Sequence, residues 1–170
     1  MYYKIKKYYL RFKYFRNVSC ETALIDIPSK IKVYYGGSIT FKGAVYIGED
    51  SFIDARGGLI IGKNVIFGPR VSILTYNHDH KDKSWAPYSP NIIEKETLIG
   101  DHCWFGLNSI ILPGTKVGSN CIIGAGSVLN GIYPDNSVIV GNPAKVVKKL
   151  EKNDNPEEYQ TKMSEKRRWG

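Results

Sequence analysis

Long apolar runs are missing from this sequence. Across 170 residues the longest is four, Ala44 to Ile47, far short of the ~20 that cross a bilayer as a helix. Cysteine occurs three times, never as a CxxC pair, so neither a disulfide scaffold nor a zinc knuckle is expected. No basic-then-apolar leader opens the chain, which points to a cytoplasmic protein. Acidic residues are absent from residues 1–16, which carry +6, while residues 145–170 net +3 and residues 17–144 net −1. The overall charge of +8 therefore belongs to the two ends. That distribution, with no recognisable binding motif, argues against nucleic acid as a partner. With 42% apolar residues the chain is not a disordered one, and its length suits one domain.

What the sequence does have is a period of six. From Ile99 the steps fall on Phe105, Ile111, Val117, Ile123 and Leu129, all bulky and apolar. The next residues are mostly glycine: Gly100, Gly106, Gly118 and Gly124. The fifth place of each hexad is small, reading Cys103, Ser109, Thr115, Cys121 and Ser127. An earlier block keeps the same phase through Tyr35, Phe41, Ile47 and Ile53, and after two extra residues at Gly57-Gly58 it resumes at Ile61, Phe67 and Ile73. A period of six fits neither an amphipathic helix nor an alternating strand. It fits a short flat strand and a turn, repeated, with the bulky residue pointing inward and glycine permitting the sharp corner. Three hexads close one triangular coil, so residues 18 apart stack at the 4.7–4.9 Å spacing of neighbouring strands. The expectation is an all-β solenoid whose coils contact only their neighbours.

The repeat breaks at residues 75–98, a polar loop containing His78 and His80. Loops of that length in a compact domain usually serve function. An imidazole titrates near neutral pH and can take a proton from a hydroxyl attacking a carbonyl. On residue type alone, either histidine is a candidate base and both could be incidental.

The hexads, together with Asn77-His78-Asp79 and Gly141-Asn142-Pro143-Ala144-Lys145, resemble the hexapeptide-repeat acyltransferases, above all the maltose, galactoside and exopolysaccharide O-acetyltransferases. The resemblance covers residues 33–150 and implies a left-handed parallel β-helix with a protruding loop and short helical ends. It implies acetyl transfer from acetyl-CoA to a sugar hydroxyl, with no metal, and assigns His78 rather than His80 as general base. Gly106, Leu107, Gly124 and Ala125 are implied to line the coenzyme A arm, Leu107 and Ala125 through backbone groups. Lys145 and Lys148, three apart and expected on one face of a short helix, are implied to pair with the 3′-phosphate. A lysine common in the family six residues after the GAGS alanine is Gly131 here. Asp54, Asn77, Asp79 and Trp85 are candidate acceptor contacts. Homotrimers with active sites between subunits are also implied. Other readings keep the fold: a drug hydroxyl, serine or nucleotide-sugar amine as acceptor, a γ-class carbonic-anhydrase-like hydratase, or a non-catalytic solenoid. The hydratase would need three imidazoles on zinc, and its His-x4-His pair is absent.

The domain plan is a segment 1–32, a β-helix 33–143 and a short helix with tail 144–170. Residues 1–16 hold six basic side chains and seven aromatics. They suit an amphipathic helix on an anionic membrane surface, peripheral at the inner membrane face, or a cap on the first coil.

Overall fold

The computed structural model describes residues 37–85 and 89–151, preceded by the backbone of three short strands. Those strands are β1 (Val18–Cys20), β2 (Ile25–Asp26) and β3 (Lys32–Tyr34). The next coil is β4 (Ile39–Phe41), β5 (Val45–Ile47) and β6 (Phe52–Asp54), followed by β7 (Leu59–Ile61), β8 (Val65–Phe67) and β9 (Ser72–Leu74). A hairpin of β10 (Tyr76–His78) and β11 (Ile92–Glu94) interrupts the winding. Winding resumes with β12 (Thr97–Ile99), β13 (Trp104–Phe105) and β14 (Ile110–Ile111), then β15 (Lys116–Val117), β16 (Ile122–Ile123) and β17 (Val128–Leu129). It ends in β18 (Ile132–Tyr133), β19 (Ser137–Gly141) and β20 (Ala144–Lys149). The N-terminal segment 1–16 lies outside the described residues.

Three parallel sheets result, one per face of a triangular prism. Face A is β1-β4-β7-β12-β15-β18, face B is β2-β5-β8-β13-β16-β19 with β20 at its edge, and face C is β3-β6-β9-β14-β17. The expected stacking holds in the later coils: Ile99 lies over Val117, Phe105 over Ile123 and Ile111 over Leu129. From the coil of β4–β6 to that of β7–β9 the step is 20, as in Phe41 over Ile61, because the Gly57-Gly58 insertion widens one corner. Across the hairpin it is 38, as in Ile73 to Ile111. The last step shrinks to 16, Val117 to Tyr133. Gly131 closes that shortened corner at φ +154, a region that favours glycine.

The period-six residues form the core. Phe41, Ile61, Phe67, Phe105, Ile111, Ile123 and Leu129 are all fully buried, each contributing roughly 1.5–3 kcal/mol by leaving water. Phe67 and Phe105 stack with ring centroids 4.8 Å apart. The small fifth-place residues are buried too. Among them, the Cys103 thiol is pushed well above its usual range, first by its hydrogen bond with the Cys121 side chain and then by burial.

The glycines after the bulky residues work differently from the expectation of a freely turning corner. A Cβ on Gly100 would meet Gly118 C at 2.6 Å, and one on Gly106 would meet Ala125 N at 2.6 Å. The next coil's backbone excludes a side chain at both places. The left-handed backbone falls two residues later, on Asn64, His102, Asn120 and Asn136 at one corner and on Asp50, Arg70 and Asn108 at another, all with φ between 55 and 57. Asparagine and aspartate tolerate that region better than most residues.

One expectation is corrected. The segment from Ala144 is not a short helix but β20, antiparallel to β19. Val146 and Val147 are β-branched, and β19 offers an unpaired edge at the end of the stack, so strand pairing prevails. A bulge in the pairing sets Lys145 opposite Val140 and Lys148 opposite Val138. Val138 and Val140 share the outer side of β19, so the two lysines still share one face.

Candidate active site

The hairpin leaves the prism where face C turns toward face A. Thr75, fully buried, pins its root by donating its N–H (3.0 Å) and its hydroxyl (3.1 Å) to the Asp54 carbonyl. In β10 and β11, Tyr76 lies opposite Glu94 and His78 opposite Ile92. The exposed His78 ring donates from Nδ1 to the Ser89 carbonyl at 3.0 Å. A carbonyl only accepts, so the proton sits on Nδ1, and Nε2, without a hydrogen-bond partner among the described residues, keeps its lone pair. That is the tautomer a general base requires. His80, also exposed, makes no hydrogen bond to the described residues.

Sequence reasoning missed the groups that hold this arrangement. Asp82 accepts from Ser84 N at 3.1 Å, from Ser89 Oγ at 3.0 Å and from Asn91 Nδ2 at 3.0 Å. Ser89 is buried and its hydroxyl also accepts from Asn91 N at 3.1 Å. Asp82 thus fixes the residue whose carbonyl fixes His78. The available signal was Asp82 and Ser84, two residues apart in the polar loop, a spacing that suits a local Asx turn.

The predicted acceptor residues divide. Asn77 Oδ1 accepts from His78 N at 2.9 Å. The Asp79 carboxylate accepts from Lys81 N at 2.9 Å and so shapes the turn; it makes no hydrogen bond to the imidazole. Trp85 is 62% exposed beside these groups in the same loop. Asp54 is buried and forms an ion pair with Arg56 Nε at 3.3 Å.

The predicted donor residues lie at another corner, where face B turns into face C. Here Leu107 N and Ala125 N have no hydrogen-bond partner among the described residues, and both residues are exposed. At the equivalent places of the corner between faces A and B, side chains cap the amides. Lys63 N donates to Asp101 Oδ1 at 2.8 Å, Asp101 N to Ser119 Oγ at 3.0 Å, and Ser119 N to Asp135 Oδ1 at 2.8 Å. The chemical difference is in the sequence: Asp101, Ser119 and Asp135 cap one corner, whereas at the other the residues one coil further on, Ala125 beside Leu107 N and Gly141 beside Ala125 N, carry no side-chain oxygen. Gly106 keeps the Ala125 amide reachable, since any Cβ there would strike it. Gly124 packs closely under Val140 at the same corner.

For the hydratase alternative, no group of three His, Cys, Asp or Glu side chains among the described residues could hold a metal ion. No helix among them is long and apolar enough to cross a membrane.

A parallel solenoid of six-residue steps, interrupted by one protruding hairpin, defines a hexapeptide-repeat protein. A family profile described as "Hexapeptide repeat of succinyl-transferase" matches residues 90–130. The putative lipopolysaccharide biosynthesis O-acetyl transferase WbbJ of Escherichia coli K12 is 31% identical over 153 residues, covering 86% of this chain and 74% of WbbJ. The galactoside O-acetyltransferase of Lactococcus lactis is 31% identical over 70% of this chain, which spans 56% of that enzyme. The crystal structure of a maltose O-acetyltransferase from Clostridium difficile 630 superimposes with TM-score 0.59 at 29% identity, covering 88% of this chain and 77% of that one. The chain belongs to the hexapeptide-repeat acyltransferase family.

Proposed function

We propose that the protein transfers acetyl from acetyl-CoA to a sugar hydroxyl, with His78 as general base. The observation that carries this reading is the His78 Nδ1 bond to the Ser89 carbonyl, which leaves Nε2 to accept a proton. The sugar acceptor is supported by the names of the relatives, a galactoside and a maltose O-acetyltransferase and a lipopolysaccharide O-acetyl transferase.

Nε2 takes the proton as the sugar oxygen attacks the thioester carbon. The tetrahedral intermediate carries negative charge on the former carbonyl oxygen, and an unpaired N–H at Leu107 or Ala125 suits it, a contribution of about 3–4 kcal/mol. The C–S bond then breaks and the imidazolium returns its proton to the departing sulfur. Gly106 and Gly124 let neighbouring coils pack closely, so that the outward amides of Leu107 and Ala125 stay reachable by the pantetheine arm. Lys145 and Lys148, sharing an outer face on β20, are suited to the 3′-phosphate. Asn77, Trp85 and the Asp79 turn border the acceptor position.

The base and the open amides belong to different corners of one prism, which supports an active site between subunits of a homotrimer. Face B offers a contact surface in its outward column of Tyr46, Ile66, Trp104, Ile122 and Val138, with Trp104 51% exposed. Release of free coenzyme A thiol from acetyl-CoA, followed with neutral and charged sugars, tests the activity. Absence of release with every sugar would refute it, and sedimentation as an active monomer would refute the shared site.

A further inference from the structure

Beside the His78 hairpin stands a cation that the reaction above does not use. Arg56 follows β6 at the corner from which the hairpin leaves. Its Nε faces Asp54 Oδ1 at 3.3 Å, and its backbone N–H donates weakly to the same oxygen at 3.4 Å. The Asp54 side chain is 1% exposed and that of Arg56 34% exposed, so the buried carboxylate anchors one edge of a guanidinium that reaches the surface. The guanidinium carbon lies 3.9 Å from the centroid of the Tyr76 ring. Tyr76 in turn meets His78 edge to face, at 6.4 Å between centroids. Asp54 is the one carboxylate within ion-pair distance of Arg56 among the described residues. No hydrogen bond among those residues engages the two terminal amino groups.

An arginine clamped at Nε and stacked on one face has little freedom left, so its remaining N–H groups form a preorganised fork. Such forks match carboxylate and phosphate oxygens in bidentate fashion. If salt-bridge formation alone were the role, a more exposed carboxylate would serve. Burying Asp54 costs desolvation that the pair only partly recovers, and its effect is to aim the arginine. We propose that Arg56 is an acceptor-specificity residue, binding an anionic group, carboxylate or phosphate, on the sugar presented to His78. This rests on the O-acetyltransferase reading and narrows its acceptor to charged saccharides.

The test compares the full-length protein with Arg56→Gln, Arg56→Lys and the double variant Asp54→Asn/Arg56→Gln, which leaves no unpaired buried carboxylate. Probes are methyl glucoside, methyl glucuronide and glucose 1-phosphate, each assayed for thiol release and for binding by calorimetry. The proposal expects tighter binding and higher kcat/KM for at least one charged probe than for methyl glucoside. It expects the ratio of charged-sugar to neutral-sugar kcat/KM to fall about 10–100-fold in both glutamine variants, with the acetyl-CoA KM unchanged within about threefold and Arg56→Lys in between. Loss confined to the glucuronide identifies a carboxylate, and loss confined to the phosphate identifies a phosphate. Equal losses for charged and neutral sugars, or no preference in the unaltered protein, would overturn it. Charge-selective binding lost in the glutamine variants, without thiol release from any sugar, would instead overturn the acetyl-transfer reading and leave the anion site standing.

Discussion

Asp82→Ala separates positioning of the base from stability of the fold. The carboxylate accepts three hydrogen bonds, two of them from Ser89 Oγ and Asn91 Nδ2 on the strand-entry side of the hairpin. Hydrogen bonds to a charged acceptor are worth about 1.5–3 kcal/mol each, and at this half-exposed site the lower end applies because water replaces part of the loss. Losing the two that hold Ser89 and Asn91 removes roughly 2–3 kcal/mol of local order. If the Ser89 carbonyl is in place for only 1–10% of the time, kcat falls about 10–100-fold. The acetyl-CoA KM stays unchanged because the open amides sit at another corner. The melting temperature shifts by less than about 4 °C, since no core residue is altered and the hairpin opens locally. Steady-state thiol release supplies the rates. Nitrogen NMR of the imidazole supplies the tautomer, expected on Nδ1 in the unaltered protein and mixed in the variant. Asp82→Asn, keeping one acceptor oxygen, should recover part of the rate. A variant with kcat within about threefold of the parent, or one whose activity falls only in step with its melting temperature, would refute the positioning argument.

Other outcomes follow from the same geometry. His78→Ala should lower kcat by about 10²–10⁴-fold with little change in stability, while His80→Ala stays near the parent; thiol release decides, and near-full activity without His78 would remove it as base. Leu107→Pro tests the open amide. Pro69 already occupies the equivalent corner one coil below, so the fold should tolerate the change while the lost N–H lowers kcat/KM by at least about tenfold; unchanged kinetics would discount that amide. Gly106→Ala should cost about 1–3 kcal/mol in urea unfolding because its Cβ would sit 2.6 Å from Ala125 N. Gly126→Ala, with nothing within 4 Å but φ +69, should cost only about 1 kcal/mol. The reverse order would contradict the steric account of these glycines.

The core of the prism was legible because one physical demand repeats every six residues. Only a bulky apolar side chain fills the interior and only a small one fits the fifth place, so residues such as Phe105 and Cys121 announce themselves. The 20-residue step from Phe41 to Ile61 was also visible, at Gly57-Gly58. The final step of 16 was not, because Gly131 reads equally as an ordinary turn until Tyr133 is seen over Val117. The strand at Ala144–Lys149 was misread for a similar reason. Lys145 and Lys148 have helical spacing, and a bulge that restores their common face depends on β19, a partner that local sequence does not reveal.

The site was legible in its reagents but not in their supports. A histidine in a long interruption is conspicuous, whereas Ser89 contributes a carbonyl that every residue possesses. Its importance comes from where Asp82 holds it, which is a tertiary fact. The open corner shows how such a fact can still leave a trace. Except where Pro69 follows Gly68, each of these corners presents an outward amide just past its glycine, and a side chain from the next coil can cap it only if that residue bears an oxygen. Asp101, Ser119 and Asp135 do so on one edge; on the other, Ala125 cannot cap Leu107 N and Gly141 cannot cap Ala125 N. Reading that single column down the coils therefore separates a sealed edge of the prism from one able to donate hydrogen bonds to a ligand. Here it separates them at the two residues singled out for donor contact by family likeness. Leu107→Asp should then act oppositely to Leu107→Pro in its cause but alike in effect. The carboxylate can accept from the neighbouring Pro69 corner only poorly, since proline has no N–H, and its charge would face the thioester oxyanion, lowering kcat more than the neutral Leu107→Asn. Equal rates for the two variants would show that the developing charge lies elsewhere.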